Sequence, residues 1–254
     1  MWVPMADSTL VEIPPGLSAE NALLAGVLVS LPCGVVGSFV VIRRISYIAG
    51  AIAHSVLGGM GAAVYYGFDP LHGALPAAIV AALLIGWVRL HWRAQEDTLI
   101  GALWAIGMAI GVLFIAKAPG YQSDLMSYLF GSILTVPGSD LLIMLVLGIL
   151  ITILVAVYYQ DLLAMSYDEE FARIRGVSVN SLYFALIGIL AIIIVLMIQV
   201  VGLILVIALL TIPPFIVEKH AKSLVQMMVG SSLLGALFTV FGLWLSFLYH
   251  LTSG

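Results

Sequence analysis

Charge is what this sequence has least of. Lys, Arg, Asp and Glu make up 9% of its 254 residues, hydrophobic residues make up 63%, and mean hydropathy is +1.21. Soluble domains carry about a quarter charged residues, so a water-soluble fold is excluded. Lysine is scarcest: Lys117, Lys219 and Lys222 are the only three, and none follows a glycine. A phosphate-binding loop needs Gly-Lys-Ser/Thr, so ATP hydrolysis is excluded from this chain. The single cysteine, Cys33, excludes an intrachain disulfide and, inside an apolar run, reads as packing rather than as a ligand. A zinc-protease His-Glu-x-x-His is missing too, because His54 is followed by Ser55 and Val56. The first nineteen residues lack a basic n-region and a clean cleavage site, so they are not expected to be a signal peptide. Residues 1–19 instead read as an interfacial extracytoplasmic segment, with Trp2, Val3, Leu10, Val11, Ile13 and Leu17 on the membrane surface. Linkers, low-complexity tracts and internal repeats are missing as well, which leaves 20–250 as one transmembrane domain. The net charge of −4 is confined to loops and gives no reason to expect a nucleic-acid partner.

What is there is a succession of apolar runs near twenty residues, each long enough to cross a ~30 Å hydrocarbon layer at ~1.5 Å per residue. The chain reads as an all-α polytopic membrane protein with eight spans, about 21–42, 46–66, 73–92, 98–116, 139–159, 181–200, 202–217 and 225–249. Between spans four and five, "SDLMSYLFGSILTVPGSD" (123–140) is too short in its apolar part to cross and ends at Pro137, so it reads as a short re-entrant or extracytoplasmic helix. Basic residues set the orientation. With both termini outside, Arg43, Arg44, Arg89, Arg93, Arg173, Arg175, Lys219 and Lys222 all fall in the cytoplasm and only Lys117 does not.

His54 lies nine residues into span two, within "YIAGAIAHSVLGGMG", roughly 13 Å along the helix and so near the bilayer midplane. An ionisable group at that depth marks a functional path unless it is a neutral ring bonded to a neighbouring carbonyl. Its ridge carries Gly50, Gly58 and Ala62, and the next ridge carries Ala51, Ser55, Gly59 and Ala63. Small residues admit another helix and are expected to leave room around the imidazole for a partly hydrated ion. Neutral imidazole is a common ligand for divalent transition metals, and a site on a conduction path has to release its ion. His54 is therefore assigned as a transient metal ligand. Gly50, Ser55, Gly58, Asp124 and Gln199 are assigned to the translocation path, although Gln199 also suits a plain helix-end hydrogen bond.

Four segments, in this order and spacing, resemble the permease subunits of bacterial ABC transporters for zinc, manganese and ferrous iron. They are "YIAGAIAHSVLGG", "EDTLIGALWAIGMAIGVLFI" with Asp97 and Thr98 at its start, "DLMSYLFGSILTVPGSDL", and "SYDEEFARIRGV" followed by "QVVGLILVIALLTIPP". The resemblance runs from about residue 20 to 245. It departs at Gly50, where the family commonly has an aspartate four residues before the histidine. Part of the usual ion site is then missing or comes from another helix. The resemblance implies a homodimer of permeases in the bacterial inner membrane, working with a cytoplasmic ATPase dimer and an extracytoplasmic metal-binding protein. It implies no permanently bound cofactor, only the transported cation. It also makes the cytoplasmic loop 160–180 the coupling element, with Tyr167, Asp168, Glu169, Glu170, Phe171, Ala172 and Ile174 meeting the ATPase. From the residues alone, Asp168-Glu169-Glu170 suits a helix N-terminus, and Phe171 and Ile174 share a face that suits a partner's groove or a solvated amphipathic loop. Pro213 and Pro214 are expected to break or kink span seven.

Two other classes remain. A secondary transporter would need midplane carboxylates for coupling, and none of the thirteen Asp and Glu lies deep in a span. An intramembrane serine hydrolase would pair His54 with Ser30, Ser38, Ser231 or Ser232, but no surrounding motif supports it. Zinc is the first expectation for the cargo, because imidazole suits it and carboxylates are scarce along the path, with manganese or ferrous iron as alternatives.

Overall fold

The computed structural model describes residues 19–92, 95–118, 131 and 136–249. Among these, helix is the only regular structure. In chain order the helices are α1 (Ala19–Ile42), α2 (Ser46–Tyr65), α3 (Pro70–His91), α4 (Glu96–Lys117), α5 (Gly138–Val157), α6 (Tyr159–Tyr167), α7 (Glu169–Ile174), α8 (Val179–Glu218) and α9 (Leu224–Tyr249). Eight stretches are long and apolar enough to cross a membrane. The eight spans read from hydropathy are thus present, with bounds shifted by a few residues.

Spans six and seven are Val179–Ile198 and Val201–Glu218. They follow one another directly within the forty-residue α8, whose helical geometry breaks at Gly202, where φ is +80° and ψ is 162°. A straight helix of that length would be about 60 Å, twice the hydrocarbon thickness. The run reverses instead. Tyr183, near its start, lies over Arg89, while Glu218, at its end, lines a cavity with Arg44, Ser166 and Tyr167. Both ends therefore sit at the basic end of the bundle. The turn needs glycine, since an L side chain is strained at that φ and ψ. Gly131 presses on the Val201–Gly202 backbone at this reversal. Residues 123–130 and 132–135, which carry Asp124 and most of the short helix expected over 123–140, lie outside the described residues, as do residues 1–18.

The core is built on α2, which is buried on nearly every face. Gly59 brings it onto Gly73 of α3, backbone against backbone. On the opposite side, a Cβ added at Gly58 or Gly61 would stand 2.9 and 2.7 Å from the carbonyl oxygens of Gly107 and Gly111 on α4. Such close approach lets helices pack where lipid offers no hydrophobic drive. Pro213 and Pro214 sit within α8 without ending it. Pro214 lacks the N–H that Leu210 would bond, and the Leu210 carbonyl faces Gly37 of α1 instead. The two ends of the bundle differ in chemistry. Tyr65, Tyr66 and Phe114 cluster at one end, with ring centroids 5.3 and 6.3 Å from Phe114, as an interfacial belt would. The ends of α1, α3 and α8 and the start of α4 gather at the other.

Candidate functional site

Two places in the bundle carry the predicted residues. The first is the middle of α2. His54 is half-buried there, and its Nδ1 is buried without a hydrogen-bond partner. The alternative of a ring bonded through Nδ1 to a neighbouring carbonyl is not what the structure shows. Ser55 donates to the Ala51 carbonyl at 2.8 Å, so its proton is committed to its own helix and only its oxygen lone pairs are left for another partner. Gly58 is covered by the Gly107 backbone, and a Cβ on Gly107 would stand 2.7 Å from the His54 carbonyl oxygen. Trp104 of α4 stacks on the His54 ring, with centroids 4.5 Å apart and planes at 28°. A Cβ added at Gly50 would run into the same indole.

The open space expected beside the imidazole is therefore occupied. The small residues do admit a neighbour, as anticipated, but that neighbour is α4 with its tryptophan rather than an ion. Among the described residues no three of His, Cys, Asp and Glu converge into a metal cluster. Gln199 lies in α8 beside the reversal, and its side chain is outside the described residues. The residue that sequence reasoning missed is Trp104. It lies on the α4 face that carries Gly107 and Gly111, at helical spacings of three and seven, which was the available signal.

The second place is the basic end. The 160–180 loop forms two helices, α6 and α7. Asp168 caps α7, its carboxylate accepting from the N–H groups of Glu170 and Phe171 at 2.9 and 3.0 Å. Tyr167, Phe171 and Ile174 stand exposed, at 68%, 51% and 84%, the last figure marking Ile174 as wholly unshielded by its own chain. Ala172 faces the opposite way and is fully buried. Glu169 also turns inward. Its Oε1 accepts from Arg43 Nη2 at 2.7 Å and from Arg89 Nη2. Arg43 Nη1 also donates to the Met165 carbonyl at 2.8 Å. Arg89 approaches Glu96 at 3.7 Å and lies 4.1 Å above the Tyr183 ring, whose hydroxyl donates to Glu96 at 3.2 Å. Burial, with Arg89 alongside, pulls the Arg43 guanidinium below its usual value, and Glu169 opposes this. Two cations and two carboxylates thus tie α7 to the ends of α1 and α3, the start of α4 and the first turns of α8. Of the seven residues assigned to coupling, three present an apolar outer surface, and Glu169 and Ala172 fasten that surface to the bundle.

Comparison with known proteins gives the chain its family. Residues 18–254 match the ABC 3 transport family. The chain belongs to that family. It is 46% identical to the uncharacterized membrane protein slr2045 of Synechocystis sp., over 92% of this chain and 84% of the relative. It is 34% identical to the manganese transport system membrane protein MntC of Listeria innocua, again over 92% and 84% of the two chains. Among solved structures it is similar to PsaBC from Streptococcus pneumoniae in complex with Fab, at a TM-score of 0.82 and 32% identity, over 92% of this chain and 84% of that one. The protein is accordingly a multi-pass permease subunit of a bacterial inner-membrane ABC transporter.

Proposed function

We propose that this permease carries a divalent transition-metal cation into the cytoplasm, driven by an ATPase that docks on α6 and α7. The observation that carries the reading is the buried, unpartnered Nδ1 of His54 halfway along a span. An imidazole nitrogen left without a bond at that depth is costly unless it serves a ligand part of the time. The permease is read as one half of a homodimer, receiving its cation from an extracytoplasmic binding protein. Manganese is the favoured cargo, because a relative matched over nearly the whole chain is named for it. Zinc remains a second reading on one observation: no carboxylate accompanies His54 among the described residues, and a lone imidazole suits zinc better than it suits manganese.

The test is uptake of radioactive manganese and zinc by cells expressing the permease with its ATPase and binding protein, in a host lacking its own importers of both. His54→Ala is expected to lower uptake by more than ~tenfold, as loss of a metal-site residue does. Unchanged uptake in a folded, ATPase-associated variant would overturn the ligand assignment. The faster wild-type cation decides between manganese and zinc.

A further inference from the structure

We infer that Trp104 is a positioning and specificity-determining residue of the His54 site, keeping an anionic ligand off α2 and presenting the imidazole with a π face in its place. This rests on the reading of His54 as the metal ligand. Tyr47, Gly50 and His54 lie on one face of α2, and the Trp104 indole covers all three. It stacks on His54, stands 6.3 Å from the Tyr47 ring between centroids, and fills the space where a side chain at position 50 would begin. Position 50 is one helical turn before His54, the place from which a second α2 side chain would reach an ion held by the imidazole. The glycine and the tryptophan are therefore one device, because the indole fits only if position 50 has no side chain.

The chemical consequence follows from what an indole offers. It has an N–H donor and no acceptor lone pair, so it cannot stand in for a carboxylate toward a metal. Its face attracts cations without regard to their ligand preference. A cation at His54 then receives one neutral nitrogen and no anionic oxygen from this helix. Compared with a site that had a carboxylate at position 50, that donor set lowers the preference for hard cations relative to those that suit imidazole, whichever of the two the permease carries faster. The stack also fixes the plane of the imidazole, and so the direction in which its free nitrogen points.

The test is a double-mutant cycle read as the ratio of manganese to zinc uptake in the same cells, with equilibrium binding of both ions to the purified permease–ATPase complex as a second readout. Gly50→Asp alone forces the new carboxylate against the indole and is expected to reduce uptake of both cations. Gly50→Asp with Trp104→Ala gives the carboxylate its space. It is expected to recover transport and to shift the manganese-to-zinc ratio at least ~tenfold toward manganese, in uptake and in binding. Trp104→Phe preserves the stack and is expected to keep the wild-type ratio, whereas Trp104→Ala loosens the ring and raises the half-saturating concentration of both ions. The inference is overturned if the double variant keeps the wild-type ratio, or if Gly50→Asp alone already transports normally. Should the double variant fail to fold, unchanged half-saturation in Trp104→Ala overturns it, and a rise that Trp104→Phe reverses supports it. Failure of the His54 reading is told apart by His54→Ala, which would then transport normally whatever the variants at 50 and 104 do.

Discussion

The two polar places in this bundle are built on opposite terms. At the basic end, one carboxylate is shared by two guanidinium groups that also hold a carbonyl, a second carboxylate and a tyrosine ring, so that Arg43 is held through both terminal nitrogens even though its Nε has no partner. At the middle of α2, one imidazole has a stacked ring and a nitrogen with no partner. On the proposed reading the joint passes motion from an ATPase to the spans, so it has to resist pulling apart and is bonded several times over. A site that an ion must enter and leave cannot be, because a fully satisfied ligand has no free valence and a tight one does not let go. On that reading the contrast separates what holds the permease together from what the permease does, and each side can be broken alone.

The largest loss of stability is expected at the joint. Glu169→Ala leaves Arg43 and Arg89, whose side chains are only 4% and 16% exposed, without their shared counter-charge. Removing one partner of a buried pair costs about 3–5 kcal/mol, a large share of a domain's whole stability. The variant should melt well below wild type in detergent or fail to accumulate. Glu169→Gln retains an acceptor oxygen and should fall between the two. A wild-type melting temperature in Glu169→Ala would show that the cluster is ornamental.

Next in size is the glycine packing between α2 and α4. A Cβ on Gly107 would press into the His54 carbonyl oxygen at 2.7 Å, whereas one on Gly101 would meet nothing within 4 Å. Gly107→Ala should therefore cost about 1–3 kcal/mol by overpacking. Gly101→Ala on the same helix should be neutral or slightly stabilising, since alanine is the better helix former. Equal melting of the two would mean that the α2–α4 contact is looser than its geometry.

His54→Ala sharpens the comparison from the other side. It loses one ring stack and no hydrogen bond to Nδ1, so thermal stability should fall by only about 1 kcal/mol. Uptake should nevertheless collapse. A variant that melts nearly as wild type and does not transport is the opposite of Glu169→Gln, which should melt early and transport in proportion to the protein that survives.

The sequence announced one of these places and only half of the other. Hydropathy made all eight spans legible, because each must satisfy the same hydrocarbon thickness. His54 was legible because a titratable group deep in an apolar run stands out. The joint was not, since Arg43 and Glu169 are 126 residues apart and their meeting depends on how α7 folds back beneath α1 and α3. Glu169 was placed at a helix N-terminus and assigned to meet the ATPase, and its inward turn was missed for the same reason: hydropathy reports that a residue is outside the membrane, not which way it turns there. The space around His54 was misjudged because a glycine states only that something comes close. Whether that is an ion or the Trp104 indole depends on the register between α2 and α4, which neither helix encodes alone. The reversal was legible as two spans, 181–200 and 202–217, and the structure places it at Gly202, where an L side chain would be strained.

The smallest effect on the fold, and the one that asks whether the joint serves the engine, is expected at Phe171. Its ring is 51% exposed on α7, beside Ile174, while Ala172 and Glu169 on the other side of the same short helix anchor it to the bundle. Phe171→Arg touches none of the anchoring contacts, and an exposed substitution of this kind changes stability by no more than about 0.5 kcal/mol. Melting and insertion should be those of the wild type. What should change is capture of the ATPase: a guanidinium cannot enter an apolar groove without an unpaired desolvation cost of a few kcal/mol, enough to release a partner held by a small surface. Pull-down of the ATPase with the variant permease measures this directly. Glu170→Gln, on the same helix, provides the control for charge, because its loss should leave capture nearly intact. If Phe171→Arg still binds the ATPase as tightly as the wild type, the exposed face of α7 is not the docking surface. The Arg43–Glu169–Arg89 joint would then hold a surface loop in place rather than a lever.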